Sequence, residues 1–278
     1  MQTDLTPLED ALRERMQSEE RQYTRESRGS DSLWDHSVRV AILAERLGRD
    51  EGVDALACRI AGLFHDAGKF AGGRYHEADR PEEERSVDAL NDLVELHPLP
   101  TEQVDQVADS IRQLYRDDPD PTPLTCVLFD ADNLDKLGPL GIANYFVKTG
   151  LRGRGVSRSL LFRLTVELTY ARHASRCLLT ESGRALAEKR APETIRFLHD
   201  FLDTVREDGL YDFQIETVVF DKLELDVVSP KACDCGAPLS RRIWEVPGIK
   251  CSEIHLEHAC AQCDARNEIR FCRPRLIT

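Results

Sequence analysis

The sequence predicts a mainly α protein, a helical bundle over residues 1–209 followed by a small β-rich, cysteine-stapled domain over residues 210–278. Three observations lead there. Apolar residues recur at three- and four-residue spacing as far as about residue 208, with few alternating strand patterns. After Asp208-Gly209 the text turns to YDFQIETVVF at 211–220, rich in β-branched and aromatic residues. Six of the nine cysteines then fall in the last 46 residues: Cys233, Cys235, Cys251, Cys260, Cys263 and Cys272.

Taken in order, helices are expected at about 5–24, 31–48, 51–66, 84–96, 101–115, 123–138, 139–149, 157–178 and 181–207. The breaks carry helix-ending chemistry: Gly48 and Gly52, the Ala71-Gly72-Gly73 stretch, Pro98 and Pro100, and DDPDPTP at 117–123. Glu82, Glu83 and Glu84 read as an acidic first turn favoured by the helix dipole. From Val228 onward, short β-like runs lie between cysteine pairs.

With 278 residues, 41% hydrophobic and 31% charged, the composition is that of an ordinary globular chain, which sets aside fibrous and wholly disordered classes. No window approaches the roughly 18–20 consecutive apolar residues of a membrane helix, and the start lacks the apolar core of a secretory signal. A cytoplasmic protein with no membrane partner is therefore expected. The net charge is −13; residues 231–278 carry 8 Lys+Arg against 6 Asp+Glu, so residues 1–230 hold −15. Such a body repels nucleic acid phosphates at long range, but a small anion held by a metal ion or a few basic side chains is compatible with it.

One helix face carries His36 in register with Val40, Leu43, Ala44 and Leu47, so an apolar stripe ends in an imidazole. The next stripe, Val53, Leu56, Ala57, Ile60, Ala61 and Phe64, ends in His65-Asp66 just before a glycine. A third segment, LTCVLFDADNLDKLG, adds carboxylates. Asp130 and Asp132 stand about 200° apart around a helix, so one ion cannot readily use both; Asp132 lies four residues after Leu128, and Asp135 one turn further along that side. Buried carboxylates are costly unless paired or metal-bound, and two imidazoles with two carboxylates suit a divalent cation.

These residues resemble the HD-domain metal-dependent phosphohydrolases, whose pattern is a His, a later His-Asp doublet and a distant Asp. The likeness covers about residues 20–150, and LFHDAGK is its most specific piece. It implies a helical bundle with the site at its centre. It also implies His36, His65, Asp66 and Asp132 as ligands of one divalent ion (Mn, Ni, Co, Mg, Fe or Zn), because Ala131-Asp132-Asn133-Leu134 fits the family's final Ala-Asp-x-Leu.

The activity so implied is hydrolysis of a phosphate ester of a nucleotide or similar small molecule, the ion lowering the pKa of the attacking water and neutralising phosphoryl charge. Asp66 would accept or orient the water's proton, Lys69 would hold a phosphate oxygen, and His76 would donate a proton to the leaving group or bind phosphate. A weaker substrate-phosphate candidate is KTGLRGRGVSRS at 148–159, where Gly150, Gly153 and Gly155 alternate with Arg152, Arg154 and Arg158.

The pairs Cys233/Cys235 and Cys260/Cys263 have the spacing to chelate one ion from two turns, and four thiolates favour a structural zinc. The module looks like a zinc ribbon, with Cys251, His255 and His258 as lower-ranked ligands. A protein or nucleic acid partner at the ribbon is one expectation, and a purely structural role another. Two alternatives to the enzyme stand beside it: a non-catalytic nucleotide sensor that docks a partner through the ribbon, and a nucleic-acid phosphatase or nuclease.

Overall fold

The computed structural model describes residues 4–24, 32–73, 80–114, 116, 120–151, 153–248 and 251–277. Among them the expected helices form close to their expected ends: α1 (Thr6–Thr24), α2 (Ser32–Glu51), α3 (Ala55–Phe64), α4 (Glu82–Leu96), α5 (Thr101–Gln113), α6 (Pro123–Leu134), α7 (Gly138–Leu151), α8 (Arg158–Cys177) and α9 (Glu181–Glu207). Five strands follow: β1 (Phe213–Phe220), β2 (Leu223–Pro230), β3 (Leu239–Val246), β4 (Glu253–Cys260) and β5 (Arg266–Cys272). The chain divides into two compact units, Met1–Lys136 with Leu178–Arg184, and Leu137–Cys177 with Ala185–Thr278. The change of secondary structure near residue 209 therefore lies inside the second unit, whose strands share a core with helices.

In the first unit, side chains of the local sequence set the helix starts. Asp54 caps α3 by accepting the Leu56 and Ala57 N–H groups at 2.8 and 3.3 Å, and Thr122 caps α6 through the Thr125 N–H. A buried Glu20 on α1 accepts the Ser32 hydroxyl at 2.5 Å and the Leu33 N–H at 3.2 Å, so α1 closes the start of α2. Leu12, Met16, Val40, Leu47, Ile60 and Phe64 are wholly buried.

Helices α2 and α3 form an antiparallel pair at unusually close range. A Cβ on Gly62 would lie 2.5 Å from the Ala41 Cα, and one on Gly48 would lie 2.5 Å from the Cys58 sulfur. The contacts 48 with 58 and 41 with 62 extend along the pair to 36 with 65. The three small-residue positions thus place two histidines side by side at its end.

Asp130, on α6, is fully buried and faces the chain before α9. Its Oδ1 accepts the Leu179 N–H at 2.8 Å, and its Oδ2 accepts the Thr180 N–H at 2.8 Å and the Thr180 hydroxyl at 2.6 Å. Burial pushes this carboxyl up to about 6 against the pull of those hydrogen bonds.

In the second unit, Ile142, Leu164, Leu168, Leu198, Leu202 and Phe213 form one apolar cluster, while Phe162, Leu225, Val227, Ile254 and Leu256 belong to another. β1 and β2 pair antiparallel through a tight turn at Asp221-Lys222, both at positive φ. β3, β4 and β5 form a separate antiparallel meander. The edge of β2 away from β1 is covered by α8: the Asp226 and Val228 N–H groups donate to Thr169 and Thr165 at 3.0 Å each. Edge backbone groups that would otherwise need water are thereby paired.

Of the lower-ranked ligands, Cys251 is bonded to Cys272 in a disulfide across the end of β4–β5. His255 and His258 are buried rather than exposed: His255 Nδ1 meets Glu268 at 2.9 Å, and His258 packs edge-on against Phe162. Alternation along β4 turns His258 to the core face and His255 to the opposite one.

Two outcomes follow. Gly62→Ala, which would add about 1 kcal/mol in an unconstrained helix, should instead destabilise by about 1–3 kcal/mol through overpacking, read as a lower Tm; a raised Tm refutes the tight crossing. Asp130→Asn sets an amide N–H against the Thr180 donors and should lose about 1–3 kcal/mol at pH 7. A carboxyl whose folded value exceeds its unfolded one stabilises at low pH, and that contribution is lost as pH rises through about 6. Denaturant titrations should therefore show the wild-type advantage over Asp130→Asn widening from pH 7 to pH 4; a gap constant with pH counts against the raised value.

Candidate metal centre

His36 lies in the first turns of α2, His65 caps the C-terminus of α3, Asp66 begins the turn after it, and Asp132 lies in the last turn of α6. One ligand atom each from His36, His65 and Asp132 lies within 4.8 Å of the other two, and all three residues are buried. His36 Nε2 is 3.3 Å from Asp132 Oδ1 and 3.5 Å from Asp66 Oδ2; His65 Nε2 is 3.9 and 3.7 Å from the same atoms. The two rings stand edge-on with centroids 5.2 Å apart. The imidazoles therefore converge, as the helix periodicity requires.

The opposite edge of each ring has its own acceptor. His36 Nδ1 lies 2.8 Å from Asp135 Oδ2, and His65 Nδ1 lies 2.8 Å from the Gly62 carbonyl oxygen. An ionised carboxylate and a carbonyl can only accept, so each Nδ1 carries the proton and each Nε2 keeps a lone pair toward the centre. Among the described residues, His65 Nε2 is buried with no hydrogen-bond partner. A buried nitrogen lone pair without a donor beside two carboxylates fits a cation, and imidazole nitrogen with carboxylate oxygen suits a divalent metal.

Charge around the centre is balanced locally. Lys69 Nζ contacts Asp66 Oδ2 and lies 3.8 Å from Glu82, while Lys136 Nζ lies 3.2 Å from Asp132 Oδ2. Burial works against ionising Asp66, but the Lys69 ammonium holds its carboxyl far below the usual range. Burial likewise opposes Asp132, which Lys136 holds down. His65 is lowered by burial, so the neutral ring that a metal needs is favoured at neutral pH.

The turn carrying the doublet is fastened to α4. Ser86 donates its hydroxyl to the His65 carbonyl at 2.9 Å and accepts the Gly68 N–H at 2.9 Å. A Cβ on Gly68 would meet Glu82, Arg85 and Ser86 atoms at 2.6 Å, so this residue must be small. Ser86, Asp135, Arg39 and Lys136 are the contributors that the sequence reading did not assign. Asp135 was legible as a carboxylate on the same helix side; the other three carried no distinguishing pattern.

His76 and Arg152 lie outside the described residues. Arg154 and Arg158 belong to the second unit, where Arg158 pairs with Asp234 and lies over the Tyr211 ring at 5.7 Å. That unit also gathers the Sγ atoms of Cys233, Cys235, Cys260 and Cys263 within 4.8 Å of one another. The separations Cys233–Cys263 and Cys235–Cys260 are 3.4 and 3.6 Å, close to the ~3.8 Å between sulfurs in a tetrahedron with bonds near 2.3 Å.

Comparison with known proteins places these residues in context. The HD domain family matches residues 33–137, the stretch that holds His36, His65, Asp66 and Asp132. YpgQ of Bacillus subtilis (strain 168) is 30% identical over 188 residues, covering 63% of this chain and 84% of that protein. The crystal structure of B. subtilis YpgQ in complex with ADP superposes with a TM-score of 0.51 at 26% identity, over 72% of this chain and 95% of that one. A Lactobacillus plantarum structure gives a TM-score of 0.50 at 19% identity over 76% of this chain and 98% of its own, a likeness of fold alone. The chain therefore belongs to the HD-domain family.

Proposed function

We propose that this protein is a metal-dependent phosphohydrolase acting on a nucleotide or similar small phosphate ester. The observation that carries the reading is the convergence of two Nε2 lone pairs and the Asp132 carboxylate on one buried point, with each Nδ1 proton already committed elsewhere. His36, His65, Asp66 and Asp132 are the residues that would hold the ion, as in the family pattern. A divalent ion there supplies Lewis acidity, lowering the pKa of a water and neutralising phosphoryl charge. YpgQ, with ADP in its crystal structure, supports a nucleotide as the substrate class.

The chain's own groups then divide the work. The Asp66 carboxylate, held in its charged form, orients the attacking water or takes its proton. Lys69 reaches from the Asp66 contact toward a phosphate oxygen and offsets its charge. His76 is the candidate proton donor to the leaving group. The burial of His36, His65 and Asp132 excludes bulk water and strengthens each of these electrostatic terms.

In the second unit, Cys233, Cys235, Cys260 and Cys263 would hold a structural zinc. Four thiolates close the coordination shell, which leaves no open position for chemistry. The cluster ties the strand ends of β3 and β4 to the turn before β3, where the small meander has little core of its own.

Two measurements check this. Phosphate release should be screened over nucleoside mono-, di- and triphosphates, cyclic nucleotides and simple esters with Mn, Ni, Co or Mg. Wild type should turn over at least one, and Asp66→Ala should lose more than about 100-fold in kcat/KM while its Tm stays near wild type. Nucleotide binding without phosphate release under any metal would instead make the chain a sensor. Metal analysis of the purified protein should find a single zinc that survives in Asp66→Ala and is lost in Cys260→Ser, with a lower Tm in the latter. Full zinc retention in Cys260→Ser rules out the four-thiolate site.

A further inference from the structure

The far edge of the His36 ring meets a charged pair that the proposed chemistry leaves unused. His36 Nδ1 lies 2.8 Å from Asp135 Oδ2, and Arg39 grips the same carboxylate, its Nε donating to Oδ1 at 2.7 Å and its Nη2 to Oδ2 at 3.1 Å. The Asp135 side chain is 3% exposed and that of Arg39 is 21% exposed. His36 and Arg39 are one turn apart on α2, and Asp135 caps α6 three residues after Asp132. One helix end thus supplies both a candidate ligand and the group behind another ligand.

We infer that Asp135 is the positioning residue for His36, and that Arg39 acts through Asp135. The inference rests on His36 being a metal ligand. As an acceptor, Asp135 keeps the proton on Nδ1 and so keeps the lone pair on Nε2; as a full charge, it makes the ring a stronger donor than a backbone carbonyl would. Among the described residues His65 has the Gly62 carbonyl in that place, so the two imidazoles are unequal, with His36 the stronger anchor. Arg39 supplies the opposite charge that a buried carboxylate needs, and its planar fork across both oxygens fixes the carboxylate's plane, and through it that of the ring. A lysine could neutralise Asp135 but could not orient it.

Asp135 and Arg39 touch neither the shared centre nor any atom proposed to react, so their effect should appear in metal affinity and ring tautomer. The test uses the full chain with its cysteine site intact. Mn²⁺ binding is followed by electron paramagnetic resonance, and histidine tautomers in metal-free protein by long-range ¹H–¹⁵N NMR, in wild type, Asp135→Ala, Asp135→Asn, Arg39→Leu and Arg39→Lys. Asp135→Ala should weaken Mn²⁺ binding about 10–100-fold and turn His36 from a single Nδ1–H form into a mixture. Asp135→Asn, which keeps an acceptor, should keep the tautomer but not the full affinity. Arg39→Leu should weaken Mn²⁺ binding without changing the ring's tautomer, and Arg39→Lys should restore little of it.

Mn²⁺ affinity within about two-fold of wild type in both Asp135→Ala and Arg39→Leu would overturn the inference. Should wild type bind no Mn²⁺, the metal reading itself fails, and the tautomer comparison alone decides whether Asp135 sets the ring's proton: a shift in Asp135→Ala upholds it and an unchanged ring overturns it. If Asp135→Ala does not fold, Asp135→Asn and Arg39→Leu carry the same decision.

Discussion

The close approach of α2 and α3 is the constraint on which the candidate centre depends. Ala41 against Gly62 and Gly48 against Cys58 allow two helices to run almost backbone to backbone, and that spacing brings the His36 and His65 rings to 5.2 Å. A larger side chain at either contact would push the helices apart, because packed interiors transmit such changes instead of absorbing them. The Gly62 carbonyl also accepts the His65 Nδ1 proton, so one residue sets both the separation and the ring's tautomer.

Around that contact, the acidic protein has gathered carboxylates that would be costly to bury alone. Each has its own cation: Lys69 for Asp66, Lys136 for Asp132 and Arg39 for Asp135. Asp130 shows the other way of burying an acid. Among the described residues no cation touches it; it is satisfied by two backbone N–H groups and a hydroxyl, and its carboxyl is raised instead of lowered. Two residues along one helix separate a structural carboxylate from a candidate ligand, because the intervening 200° sends them to opposite sides of α6.

The second unit solves a different problem, that of a short β segment with little interior. Hydroxyls from α8 occupy the free edge of β2, Arg172 on the same helix forks onto Asp226, and the four thiols draw the β3–β4 end together. Helix side chains and the sulfur cluster here add to the apolar core that the strands share with the helices.

Periodicity and punctuation were enough to read the helix order, the change to strands after residue 209 and the clustering of thiols, since these depend on local spacing. The same spacing showed that His36, His65-Asp66 and one of the DADNLD carboxylates end apolar stripes. Which of Asp130 and Asp132 faces the histidines needed the family likeness, and the partners of each needed the fold: Leu179 and Thr180 for one, His36 and Lys136 for the other. Residue-level roles of Arg39, Asp135, Lys136 and Ser86 were hidden because an arginine, a lysine or a serine on a helix carries no periodic signature of what it will face. The Cys251–Cys272 pairing was hidden for a similar reason, since strand register and not cysteine spacing brings those sulfurs together. Local chemistry thus determined which groups point toward the interior; only the packing of distant segments decided which of them meet, because the distances that define a metal site are set across helices and not along one.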